Sequence, residues 1–428
     1  MTSTRAMVCR AVAAPLATSA QRRAAWRAPA LTLIAVIGLA AGASPRAQAQ
    51  TFKVLYSFAG YPTDGAAPIG GLLRDATGNL YGTTEYGGNN DSCPYGLPGC
   101  GTVFKLDTNG VETVLHNFTG PDGAEPIATL AMDAMGDLYG TTFAGGLLQD
   151  CADIGPGCGV VFKLSGKKET VLHRFSGRRD GALPYGGVVV DASGALYGTA
   201  NAAGEFGDGV AFRLVGKKET VLHAFTGGKD GGYITAGLIM DAKGNLYGTA
   251  VYGGDLNCDY PDGCGVVFKL TGKQETVLYN FGGSPDGAGP AAALFMDRNG
   301  NFYSTTAQGG LGDNLGTVFE LSRHDKERVL YIFQYGHDGV RPTSGVVRDA
   351  QGNLYGTTAE GMGKAFPGIV YQITKDGKEK ILHYFCTTDC SDGANPYGDL
   401  IMDANGNLYG TASNGGAYNN GTVFMITP

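Results

Sequence analysis

Asp403-Ala-Asn-Gly-Asn-Leu-Tyr-Gly-Thr411 is one of seven copies of a single phrase, the others opening at Asp75, Asp133, Asp191, Asp241, Asp297 and Asp349, 50 to 58 residues apart. Each copy reads as a tight β-hairpin. The Asp side chain accepts hydrogen bonds from the backbone two residues on, and the Gly supplies the positive φ that a twisted turn needs. The Leu-Tyr-x-Thr run that follows has the aromatic and β-branched character of a strand. A period this regular marks a propeller or a solenoid.

Outward from the phrase, each repeat holds four strand-like segments separated by turns of Gly, Asp, Asn and Lys, with no helical period. The first precedes the Asp, as in Gly187-Val-Val-Val190, and the second is Leu-Tyr-Gly-Thr. The third is Gly-Thr-Val-Phe-Lys-Leu at 101–106, and the fourth is Glu-Thr-Val-Leu-His-x-Phe at 112–118. After a leader the chain opens on a lone fourth segment, Phe52 to Phe58, and it ends on a third, Gly421 to Ile426. Pairing the two completes the last repeat and closes a ring without exposed edges, whereas a solenoid carries capping repeats. The expected fold is all-β: a seven-bladed β-propeller over residues 50–428, with four antiparallel strands per blade. The links from strand two to three and from four to one are the long ones. They leave on one face, and loops on a rigid scaffold are where binding usually lives.

Residues 1–49 carry six Arg and no Asp, Glu or Lys, then an apolar run from Ala30 to Gly42 and the ending Ala47-Gln-Ala49. That order describes a secretory signal peptide cleaved after Ala49; the run is shorter than the roughly 20 residues of a bilayer span. The remaining 379 residues hold 26 Lys and Arg against 39 Asp and Glu, an acidity that argues against nucleic acid or an anionic membrane as partner. A soluble monomer, periplasmic or extracellular, is expected. Eight Cys follow the leader as close pairs: Cys93/Cys100, Cys151/Cys158, Cys258/Cys264 and Cys386/Cys390. Each pair falls in a different repeat, which favours four local disulfides over a thiolate metal site.

The three phrases Asp-Ala-x-Gly-Asn-Leu-Tyr-Gly-Thr, Gly-Thr-Val-Phe-Lys-Leu and Thr-Val-Leu-His-x-Phe recur in order over residues 51–428. This resembles the GloVer repeat of exported bacterial proteins, the choice-of-anchor GloVer-containing family. The resemblance implies an exported repeat protein, often tethered at the cell surface, and no known activity. The hairpin phrase is also similar to NHL propeller repeats and more distantly to those of streptogramin lyases and lactonases. That likeness is one of architecture, which does not decide function.

Asp-Gly recurs between strands four and one at Asp64, Asp122, Asp180, Asp230, Asp286, Asp338 and Asp392. Such a ring of carboxylates suits Ca²⁺, but recurrence in every repeat points to a turn Asp that caps backbone N–H groups. His116, His173, His223 and His383 share one position of strand four with Tyr56, Tyr279 and Tyr331. A position that takes either ring wants an amphipathic body with a polar tip, so no metal site is expected there.

Residues that break the repeat say more. The fourth position before the hairpin Asp reads Gly71, Thr129, Gly187, Gly237, Ala293, Gly345 and then Asp399. On the channel-lining strand, Asp399 is therefore a candidate acid, base or ligand anchor. Two positions earlier, Tyr185 and Tyr397 are candidates to stack on a sugar or aromatic ligand. Arg74 and Arg348, just before the hairpin and towards the opposite face, are candidates to hold an anion. No nucleophile or phosphate-loop motif is present. The expected function is an exported binding or interaction module taking an extracellular glycan or an envelope protein on its long-loop face. The alternatives are a lyase or hydrolase with Asp399 near the channel mouth, and a purely structural surface protein.

Overall fold

A computed structural model describes residues 50–428 except 90–92, 94–95, 148–150, 152–156, 259–261, 313, 335–337 and 362–366. The signal peptide expected over residues 1–49 lies outside the described residues.

The repeated phrase folds as one carboxylate tying a turn to the strand after it. Asp75 accepts from the backbone N–H groups of Thr77 and Asn79, both at 2.9 Å, from the Asn79 amide at 2.7 Å and from the Tyr81 hydroxyl at 3.1 Å. Gly78 takes a φ of +94°. The same Asp–Tyr bond recurs at Tyr139, Tyr197, Tyr247, Tyr303, Tyr355 and Tyr409. Burial alone would raise the Asp75 carboxyl, yet the Asn79, Thr77 and Tyr81 donors hold it well below the usual carboxylate range.

Seven four-stranded antiparallel sheets form the blades of a β-propeller, with strand one of each blade at the axis. Blade 1 runs Leu73–Arg74, Leu80–Thr84, Thr102–Leu106 and Glu112–Asn117. Its outer pair slips by one residue, so that Val103 faces His116 while Phe104 faces Val114, leaving Leu115 as a bulge. Blade 7 draws on both ends of the described chain. Ile401–Met402, Leu408–Ala412 and Thr422–Thr427 are completed by Thr51–Ser57, with Thr51 opposite Thr427. The ring closes as the strand count requires.

Blades meet through one repeated contact. The Phe that follows strand four packs edge-on against the strand-three aromatic of the next blade, in the pairs Phe58–Phe104, Phe118–Phe162, Phe175–Phe212, Phe225–Phe268, Phe281–Phe319, Phe333–Tyr371 and Phe385–Phe424. Their centroids lie 5.0 to 5.3 Å apart. Burying one such ring is worth about 2 kcal/mol. The Gly of Leu-Tyr-Gly makes room for it, since a Cβ at Gly82 would stand 2.6 Å from the Phe104 ring. Threonine adds a polar stitch: the Thr83 hydroxyl donates to Ala128 O at 3.1 Å in the next blade, and Thr411 donates to Gly70 O at 3.0 Å across the closure.

The four expected disulfides are formed, Cys93–Cys100, Cys151–Cys158, Cys258–Cys264 and Cys386–Cys390, each within one long link. Disulfides of this number are consistent with an exported protein. No described helix is long and apolar enough to cross a membrane.

Candidate functional site

Among the described residues, the aromatic side chains that reach solvent most are Tyr61, Tyr185, Phe206, Tyr233, Tyr252, Tyr397 and Tyr418. Every one lies in a link from strand two to three or from four to one. All therefore stand on the long-loop face, and among the described residues the short-hairpin face has none.

The mouth of the channel on that face is shaped by one residue of positive φ per blade. Ala67, Glu125, Leu183, Tyr233, Gly289, Arg341 and Asn395, just ahead of strand one, have φ between 50° and 62°. Each bridges two blades by backbone. Glu125 donates its N–H to Cys100 O at 3.0 Å and accepts at its carbonyl from the Phe143 N–H, also at 3.0 Å. This turn sets the Glu125 carboxyl near Glu85, which lies at the exit of strand two. Burial and then Glu85 push Glu125 up to about 7. Burial raises Glu85 as well, with a hydrogen bond from Tyr86 working against it.

Tyr185 and Tyr397 are brought together here from blades 3 and 7. Burial, then Tyr233, Glu85 and Tyr397, raise the Tyr185 phenol. Burial, then Glu360 and Glu85, raise that of Tyr397. Tyr185 is braced by Phe143, which it meets edge-on at 5.5 Å, and Tyr233 packs on Tyr252 at 5.3 Å. Aromatic faces offer a stacking surface, and carboxylates accept from ligand hydroxyls. Glu85, Glu125 and Glu360 were not among the sequence candidates, yet a signal was there. Glu85 aligns with Phe143, Asn201, Val251, Ala307, Ala359 and Ser413, and Glu125 aligns with six residues that are not acidic. Comparing the repeats beyond strand one would have exposed both.

Asp399 lies deeper, on the axis. Its Oδ1 accepts from the Gly345 N–H at 2.6 Å. It is half-buried, and desolvation by the surrounding protein raises its carboxyl. The axis is tight at this level, because a Cβ on Gly71 would lie 3.1 Å from the Asp399 carbonyl oxygen. Nearby, the hydroxyls of Ser344 and Thr357 share a 2.8 Å bond.

On the outer strands the repeated Asp and the repeated ring prove to be partners. Asp64 receives Tyr56, Asp122 His116, Asp180 His173, Asp230 His223, Asp286 Tyr279, Asp338 Tyr331 and Asp392 His383, at 2.7 to 3.2 Å. The same carboxylates cap backbone N–H groups, as Asp122 does for Thr119 at 2.7 Å. A tip that donates from either an imidazole or a phenol explains why this position takes both. Among the described residues no group of three or more His, Cys, Asp or Glu is placed to hold a metal.

Arg74 and Arg348 sit at the other end of strand one. Each guanidinium lies over the tyrosine of the preceding blade, Arg74 at 5.8 Å from the Tyr409 centroid and Arg348 at 5.0 Å from that of Tyr303. In other blades Met132, Met240, Met296 and Met402 pack among the same rings.

The model of a family described as the Gloeobacter/Verrucomicrobia repeat matches residues 44–260 and 259–428. No curated protein is matched by the sequence. Among solved structures the chain is similar to a gluconolactonase of Xanthomonas campestris, at 14% identity over 88% of this chain and 89% of that one, with a TM-score of 0.41. It is similar to a luciferin-regenerating enzyme at 12% identity over 89% and 95% of the two chains, with a TM-score of 0.42. It is also similar to PorZ, a surface component of the type-IX secretion system of Porphyromonas gingivalis, at 15% identity over 82% of this chain and 46% of that one, with a TM-score of 0.49. At such identities and scores these likenesses say nothing of what this chain binds.

Proposed function

The chain belongs to the Gloeobacter/Verrucomicrobia repeat family, and on that premise we propose that it is an exported binding module taking an extracellular glycan at its long-loop face. One observation carries this reading: among the described residues, all seven aromatic rings that reach solvent most lie in links of that face. A scattered distribution would be expected if exposure were incidental. Tyr185 and Tyr397 supply faces for sugar rings, and Glu85, Glu125 and Glu360 accept from sugar hydroxyls between them. Export to the periplasm or beyond accords with the four disulfides.

The test uses the exported protein against a panel of soluble polysaccharides, with retardation in affinity gels and product masses recorded on the same samples. Binding should fall roughly tenfold in Tyr185→Ala or Tyr397→Ala, the scale of losing one stacked ring. Val111→Ala and Met135→Ala, exposed on the opposite face, should change nothing. Retention indifferent to both tyrosines would sink the proposal. New products that vanish in Asp399→Asn would replace it with an enzyme working at the axis. Retention of envelope proteins alone would make the partner a protein.

A further inference from the structure

A groove of about 380 Å³ opens on the short-hairpin face where blades 5 and 6 meet. Its charged lining is Arg328, Arg348, Lys375 and Asp376, three cations to one acid, in a chain of formal net charge −7. The cations are unequally committed. Arg328 is paired with Glu320. Arg348 has only a 3.6 Å approach to Asp297, and its Nε is buried with no hydrogen-bond partner among the described residues. Lys375 has no ion pair among the described residues.

Packing does not account for Arg348. Covering the tyrosine of the preceding blade is a task that Met performs in four other blades. A guanidinium there costs desolvation that Met would not. Arg74 occupies the same slot in blade 1, but it is exposed to solvent and has no buried unpartnered nitrogen among the described residues. The residue aligned with Lys375 in blade 1 is Thr108. The groove between blades 5 and 6 joins, in one open recess, an under-committed Arg and a Lys that has no ion pair among the described residues.

We propose that this groove is a binding site for an oxyanion, a carboxylate or a sulfate group. The fork of Arg348 and the point charge of Lys375 are matched to two oxygens of either group. The site is separate from the aromatic face and does not depend on it.

The test titrates the full protein with sodium sulfate and, in parallel, with sodium glucuronate, at constant ionic strength held with chloride. Heat of binding and melting temperature are read together. Saturable binding of at least one anion is expected, with a rise in melting temperature at saturation because the ligand favours the folded state. Which anion binds more tightly names the source. Arg348→Met should weaken binding roughly tenfold while folding normally, since Met fills that slot elsewhere, and Lys375→Ala should weaken it similarly. Arg74→Met and Tyr185→Ala should leave it unchanged. The site is refuted by heats no greater than those of chloride alone, by binding indifferent to Arg348→Met, or by an equal loss in Arg74→Met.

Discussion

Tyr371 carries a hydroxyl where the other six blades place Phe104, Phe162, Phe212, Phe268, Phe319 and Phe424. The ring is fully buried, and the hydroxyl has no hydrogen-bond partner among the described residues. A buried hydroxyl left unpaired costs on the order of 1–3 kcal/mol. Tyr371→Phe should therefore stabilise the protein by about 1 kcal/mol, read as a shift of the urea midpoint at constant slope. A lower midpoint would show that the hydroxyl has found a partner. Burial, then Glu379 and then Asp399, raise the Tyr371 phenol, so these two carboxylates are the places to look for one.

At the level of the strand, six of the seven blade boundaries set two acids side by side. The Glu that opens strand four sits beside the Asp of the blade before it, as Glu112 does with Asp64, Glu327 with Asp286 and Glu379 with Asp338. At these three boundaries the repeated ring is Tyr rather than His, and only at Glu112 does a cation, Lys167, work against the two acids. Burial first, and then the Asp, push each Glu up to about 7 from an ordinary 4.5. At Glu169, Glu219 and Glu275 burial again raises the carboxyl, but His116, His173 and His223 oppose it. The seventh boundary replaces Glu by Phe52, which stacks on His383 with centroids 3.7 Å apart.

The sign of the pH effect follows. A carboxyl raised on folding binds more protons in the native state. Its contribution to stability is full below 4.5 and is lost as pH rises to about 7. The hairpin aspartates, held low, act oppositely: their contribution is present above 3.8 and is lost in acid. The melting temperature should peak on the mildly acid side and decline towards neutrality, with a shallower decline in Glu327→Gln. A melting temperature that climbs steadily from about pH 5 to 8 would refute this assignment.

For the whole molecule, closure is the decisive event. Thr51–Ser57 supplies the outer strand of blade 7, and Phe58 packs on Phe104 of blade 1. One short segment thus completes a sheet and seals the seam between the last blade and the first. Deleting residues 50–58 should leave Thr422–Thr427 as an open edge. The expected outcome is self-association on size exclusion and a broad, less cooperative urea transition; a monomer with an unchanged transition would mean that the ring holds without its clasp.

The sequence by itself determined the blade and the ring. Asp-x-x-Gly-Asn-Leu-Tyr specifies its hairpin through contacts spanning six residues, and such local chemistry is written in the order of the chain. The strand count required the two ends to meet, and the spacing of the cysteines favoured pairing within each link. The twin recurrence of Asp-Gly and of His or Tyr was visible, but not that one donates to the other across seven residues and a turn. Only the tertiary structure decided that Glu85, Glu125, Tyr185 and Tyr397 share one mouth, and that Arg348 opens onto a groove with Lys375. These groups come from different blades, and their neighbours depend on how the closed ring brings distant segments together. Coulomb energy and burial depend on distance through space, to which order along the chain gives no direct measure.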